Sequence, residues 1–148
     1  MGFSGFLGGS RLDWPVPGFF RVTSPFGMRA MGGVARMHNG VDIGRNLDPP
    51  RAIDGAAIVA PCGCRVTATA SGHASMGNMA ELDLGGGLSA RFMHCSRVFV
   101  KKGDVVPRGM RVALVGNTGS STAPHLHAEF RLDGVFVDPA LLFPAILG

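Results

Sequence analysis

Tyrosine is missing from this 148-residue chain, tryptophan occurs once and cysteine three times. No phenolic hydroxyl is therefore available for proton transfer or for donating to a charged oxygen. The cysteines, Cys62, Cys64 and Cys95, are odd in number and form no C-x-x-C pair. That pattern argues against a disulfide framework and against a cysteine-type structural zinc site, and the expectation is three small buried hydrophobes. No apolar run reaches the roughly 18 residues of a membrane span. The opening Met1–Ser10 has no basic segment and too short an apolar stretch for a signal peptide. Either an export signal has been removed ahead of this sequence, or the protein leaves its cell without one. Beyond Lys101-Lys102 there is no compact basic run, and only 7% of residues are aromatic. A platform for stacking nucleic-acid bases is thus unsupported, although a net charge of +4 suits an anionic partner such as nucleic acid, a membrane surface or an acidic cell-wall polymer.

What the chain does have is glycine, 23 residues, and proline, 10, spread along its length. With 46% hydrophobic and 16% charged residues, this composition describes a folded chain of short strands and tight turns with little helix. Residues 1–18 read as a Gly/Pro-rich N-terminal arm and residues 19–148 as a single domain. Phe19–Thr23 is the first predicted strand, residues 28–40 a Gly- and Met-rich loop, and Val41–Ile43 a short strand. Asn46–Pro50 breaks regular structure. Strands are then expected over 57–60, 65–70, 79–84, 88–94, 98–100 and 111–115, followed by a loop over 116–124. A last hairpin turns at Asp133-Gly134, and Asp138–Phe143 can begin a helical turn behind its proline. The expected fold is all-β, a compact antiparallel sheet or sandwich with long loops.

Two motifs carry chemistry. In Pro124-His125-Leu126-His127, the period of two puts both imidazoles on one face of a strand, where each can bind a metal or move protons. In His38-Asn39-Gly40-Val41-Asp42, an extended backbone would hold the two side chains about 13 Å apart, so convergence on one ion needs a bend at His38. His94, closing Ala90–His94, is a third candidate. Together these offer one carboxylate and several imidazoles, a donor set that suits a catalytic zinc with three protein ligands and an open fourth position.

These motifs, in this order, resemble the lysostaphin/LytM-type family of zinc metallopeptidases, the peptidoglycan endopeptidases of the β-lytic type. The likeness runs from about Val22 to Phe143. Arg21–Arg29 is similar to the family's opening strand and turn, and His38–Ile43 to its H-x-G-x-D segment. Leu88–His94 matches a strand ending in a catalytic histidine, Lys102–Gly109 the K-G-D-x-V-x-x-G turn, and Gly116–Glu129 the G-x-T-G…P-H-L-H-x-E run.

The resemblance implies one Zn2+ held by His38, Asp42 and His127, with His94 and His125 as the unliganded catalytic pair around a zinc-activated water. It further implies a duplicated hybrid fold with a groove over the sheet, and hydrolysis of peptide cross-links or bridges of peptidoglycan at the cell wall, periplasmic or extracellular. A monomer is expected, with anionic wall polymers as possible contacts and neither a nucleic-acid partner nor a membrane span. A phage-borne lysin would need no export signal. The alternative is an inactive LytM-like regulatory or structural module, such as an amidase activator or virion component, but such relatives typically lack zinc ligands. Two positions depart from the family. Phe92 stands where a tyrosine often assists, and Ala123 replaces a usual glycine. His73 is expected in a solvent-exposed loop, and Cys95, next to His94 on a strand, on the face turned away from the site. Glu129, on the strand face of His127, is open to a supporting role behind the metal ligands, with an ordinary sheet-surface or salt-bridging place as the leading expectation.

Overall fold

The computed structural model describes residues 11–148; the first ten residues of the expected arm lie outside the described residues. Fifteen strands follow in chain order. The first group is β1 (Val22–Ser24), β2 (Gly27–Met31), β3 (Val34–His38), β4 (Gly40–Ile43), β5 (Asn46–Leu47) and β6 (Pro50–Arg51). Next come β7 (Ala57–Val59), β8 (Cys64–His73), β9 (Gly77–Gly85), β10 (Leu88–Cys95) and β11 (Arg97–Val98). The last are β12 (Val105–Val106), β13 (Arg111–Leu114), β14 (Leu126–Leu132) and β15 (Val135–Phe136). A 3-10 turn at Pro139–Leu141, whose first free N–H groups include Ala140 N–H donating to Asp138 Oδ1, and a short helix α1 (Pro144–Leu147) close the chain.

The main antiparallel sheet runs β1-β4-β14-β10-β9-β8-β12, with β15 added to β14. A smaller sheet, β11-β13-β7, supplies the second layer. Alternation in the long strands decides which face is which. Leu88, Ala90 and Phe92 of β10 and Ala80, Leu82 and Leu84 of β9 are buried, while Arg91 and Glu81 between them are not. The buried set joins Val41, Leu126, Ala128 and Phe130 with Ile58, Val112 and Ala113 of the smaller sheet in one core. The opposite face of the main sheet is left to polar groups and becomes the floor of the site.

Three local expectations are corrected. Residues 28–40 are not a loop, because β2 and β3 pair from Gly27↔His38 to Met31↔Val34. Gly32 and Gly33, at φ 60° and 79°, make the two-residue turn whose positive φ values match the twist of a hairpin. Asn46–Pro50 likewise forms a small paired ribbon, β5 with β6. The strand expected from Phe19 begins only at Val22, since Phe19 turns inward: its N–H donates to Val16 O and its ring is buried. Trp14 and Val16 enter the same core, with Trp14 Nε1–H donating to Phe19 O at 2.7 Å. Residues 14–19 therefore pack against the domain.

Candidate metal centre

β4 and β14 lie side by side in the main sheet with His127 directly opposite Asp42. His38 ends β3, and the single residue Asn39 separates it from the start of β4 at Gly40; this break in the extended chain supplies the bend that the H-x-x-x-D spacing requires. As a result His38 Nε2 lies 3.4 Å from Asp42 Oδ1 and 3.3 Å from His127 Nδ1, and Asp42 Oδ1 lies 2.7 Å from His127 Nδ1. Gly40 makes the approach feasible. A Cβ there would run into the Ala128 carbonyl oxygen and come within 3.0 Å of His127 Cε1 and Glu129 Cγ. Only glycine fits at position 40 while β4 stays paired to β14.

Backbone and carboxylate partners set the tautomers. His38 Nδ1 is 2.8 Å from Pro25 O, an acceptor only, so Nδ1 carries the proton and Nε2 offers a lone pair toward the other two side chains. On His127 the polarity is reversed: Nε2 meets Glu129 Oε1 at 3.0 Å, which leaves Nδ1 facing Asp42 and His38. Burial alone pushes the His127 imidazole down, but hydrogen bonds to Asp42 and Glu129 outweigh it and raise its pKa to about 9. Burial raises the Asp42 carboxyl, yet the hydrogen bond and charge of His127, with His38 and His125 nearby, bring it net below its ordinary value.

The trio fits a metal ion. Two nitrogens and one oxygen converge on one point in a half-buried setting. A tetrahedral ion with bonds near 2.1 Å needs donor separations of roughly 3.3 Å, which two of the three pairs already show. The third pair, Asp42 Oδ1 and His127 Nδ1, is at hydrogen-bond length, 2.7 Å.

His94 and His125 complete the cluster. Their rings stand 4.9 Å apart, and His94 is 6.1 Å from the His127 ring. His125 Nε2 is 3.7 Å from Asp42 Oδ1. Each Nδ1 faces a backbone carbonyl, Thr118 O at 2.8 Å for His94 and Ala123 O at 2.9 Å for His125. In the neutral rings Nδ1 therefore donates and Nε2 keeps its lone pair. Burial is the largest influence on His94 and lowers its pKa; the neighbouring His125 and His127 act in the same direction, against the Thr118 carbonyl.

Simple strand parity misplaces His94. Leu88, Ala90 and Phe92 point into the core, and continued alternation would send His94 after them. Instead the β9–β10 register shifts between Phe92 and Cys95, and His94 takes φ 62°. Such a bulge re-aims a side chain, turning His94 toward the cluster and leaving Cys95 fully buried in the core. The left-handed residue is pinned by its N–H to Met76 O and by Thr118 N–H to its carbonyl. Phe92 is 0% exposed on the core side, so a hydroxyl at that position would not reach the cluster in this structure.

Glu129 is not a surface residue. It is 8% exposed, holds His127, and its Oε2 is buried without a hydrogen-bond partner among the described residues. The H-x-H-x-E period already put it on the face of His127; its burial was invisible in sequence. Arg29, from the unforeseen hairpin, brings Nη1 to 3.9 Å from Asp42 Oδ2. In the sequence Thr118 stands out only as the threonine of the G-x-T-G loop motif. His73 is exposed, its Nδ1 accepting from Ser75 and Met76 N–H. All three cysteines are buried and unpaired.

The family model described as Peptidase family M23 matches residues 36–139. The peptidoglycan DD-endopeptidase ShyA of Vibrio cholerae is 33% identical over 124 residues, covering 82% of this chain and 27% of that protein. A zinc-containing peptidase from Vibrio cholerae superposes with a TM-score of 0.75 at 30% identity, over 87% of this chain and 39% of the other. Lysostaphin from Staphylococcus simulans superposes at 0.69 with 27% identity, over 87% and 51%. The chain spans 27% of the length of the first two curated relatives it matches.

Proposed function

Because the chain belongs to peptidase family M23, we propose that it is a zinc-dependent endopeptidase that hydrolyses peptide cross-links or bridges of bacterial peptidoglycan at the cell wall. One observation carries this reading: three metal-donor atoms converge from His38, Asp42 and His127 while two further imidazoles stand beside them with their Nδ1 protons tied to backbone carbonyls. The names of relatives that act on peptidoglycan, and of a zinc-containing structural neighbour, support the substrate and the metal.

His38 Nε2, Asp42 Oδ1 and His127 Nδ1 would hold the ion, and zinc bound there supplies Lewis acidity that generates a nucleophile at neutral pH. The histidines handle the protons. Anchored by Thr118 O and Ala123 O, the His94 and His125 rings keep Nε2 free on the cluster side. One Nε2 accepts the proton of the attacking water and passes it to the leaving amine; the other ring, when it has taken up a proton and carries N–H at both nitrogens, donates from Nε2 to the oxygen on which charge develops. Both roles need rings whose orientation is already set, which the two carbonyls provide. With no tyrosine in the chain, no phenol shares this work.

The test is mass spectrometry of peptidoglycan digested by the purified protein, with and without a chelator. New peptide termini should form, vanish with the chelator and return with zinc. Absence of new termini from every peptidoglycan type, together with no stoichiometric metal, would refute the assignment.

A further inference from the structure

Next to the trio lies a cleft of about 520 Å3 whose lining includes Asp42 and His125 of the site and, with them, Arg21 and Arg45. Ile53, Ala123 and Pro124 add apolar wall. Arg21 Nη1 donates to the Arg45 carbonyl at 3.4 Å, which ties the two residues together just beyond β4. The lining holds two acids. Asp42 is engaged by His127 and His38, and Asp54 is exposed. Among the described residues, the acidic partners found for arginine involve Arg29, Arg91, Arg108 and Arg131, not Arg21 or Arg45.

Two guanidinium groups without carboxylate partners, in a cleft that reaches the reacting groups, present forked donors suited to a planar carboxylate. We infer that this cleft is a substrate subsite in which Arg21 and Arg45 hold a carboxylate of the peptide while the neighbouring peptide bond lies at His125 and Asp42. The inference rests on the peptidase reading and sharpens it. Peptides carrying a carboxylate close to the scissile bond are preferred over neutral ones, and a bridge of uncharged residues is a poor fit. The open setting limits the effect to about tenfold, the lower end for a charge-assisted hydrogen bond.

Isothermal titration of the zinc-loaded protein tests this with peptides whose scissile amide is replaced by a ketomethylene, so that binding is read apart from cleavage. Each peptide is made with free carboxylates, with the side-chain carboxylate amidated, and with the terminal carboxylate amidated. One amidation should weaken Kd about tenfold and identify which carboxylate is held. In Arg45→Gln, and separately in Arg21→Gln, the ratio between acid and amide should fall toward one. Arg45 is the safer variant, since its side chain makes no hydrogen bond among the described residues. Equal affinities for all three peptides, or a preference that persists in both variants, overturn the inference. Failure of the intact peptides to be cut, with the binding preference preserved, supports the subsite and overturns only the hydrolase reading.

Discussion

Glu129 Oε1 lies 3.0 Å from His127 Nε2, on the opposite side of the imidazole from Asp42. The carboxylate holds the ring at the angle that turns Nδ1 toward Asp42 and His38, the place an outer carboxylate would take behind His127 in the proposed zinc site.

Replacing Glu129 by alanine is therefore expected to weaken zinc binding about 10- to 100-fold. Glu129→Gln, which keeps an acceptor oxygen, should recover part of the loss. Competition against a chromogenic chelator measures both variants. Unchanged affinity in Glu129→Ala would reduce the residue to a packing role.

Thr118 secures His94 from behind. Its hydroxyl donates to Cys95 O at 2.7 Å and accepts from Asn78 N–H at 3.0 Å, while its carbonyl receives the His94 ring. Thr118→Val keeps the side-chain shape but deletes both hydroxyl bonds. Stability should drop by about 1–3 kcal/mol, and the bulge that aims His94 should loosen. Turnover should fall while zinc content stays at the wild-type level, since no ligand of the trio is touched. A variant that melts lower but hydrolyses at the wild-type rate would show that the bulge holds without the hydroxyl.

Glu81 gives the pH dependence. Burial pushes its carboxyl up, but hydrogen bonds from Arg91, at 2.6 Å, and Thr67 prevail, so its pKa ends below the ordinary 4.5. The folded state thus binds this proton less readily than the unfolded state does. The resulting stabilisation is fully present above about pH 4.5, the unfolded value, and is lost as pH falls through the lower folded value. Wild type should exceed Glu81→Gln in denaturant midpoint at pH 7, and the gap should close in acid. A gap that stays constant down to pH 2 would contradict the ion-pair account.

Much of this protein is legible in its residues. Period-two alternation marked β9, β10 and β14, and glycine with proline placed most of the turns. The two histidine motifs nominated four of the five side chains that the fold gathers, with His94 at the end of a strand as the fifth; for His125 and His127 this worked because strand parity is a local property that needs no knowledge of partners. The β2–β3 hairpin escaped notice, since its strands are exposed and carry no alternating apolar signal.

Other features depend on contacts made only after the chain closes on itself. Sequence puts Asp42 and His127 eighty-five positions apart; pairing of β4 with β14 makes them neighbours, and Gly40 lets the strands approach. The direction of His94 is decided by a bulge held by Met76 and Thr118, which reverses the parity its own strand implies. The burial of Glu129 and the meeting of Arg21 and Arg45 in one cleft are likewise tertiary. Residue types and their spacing determined which groups could form the site, and the register between distant strands determined which atoms face one another.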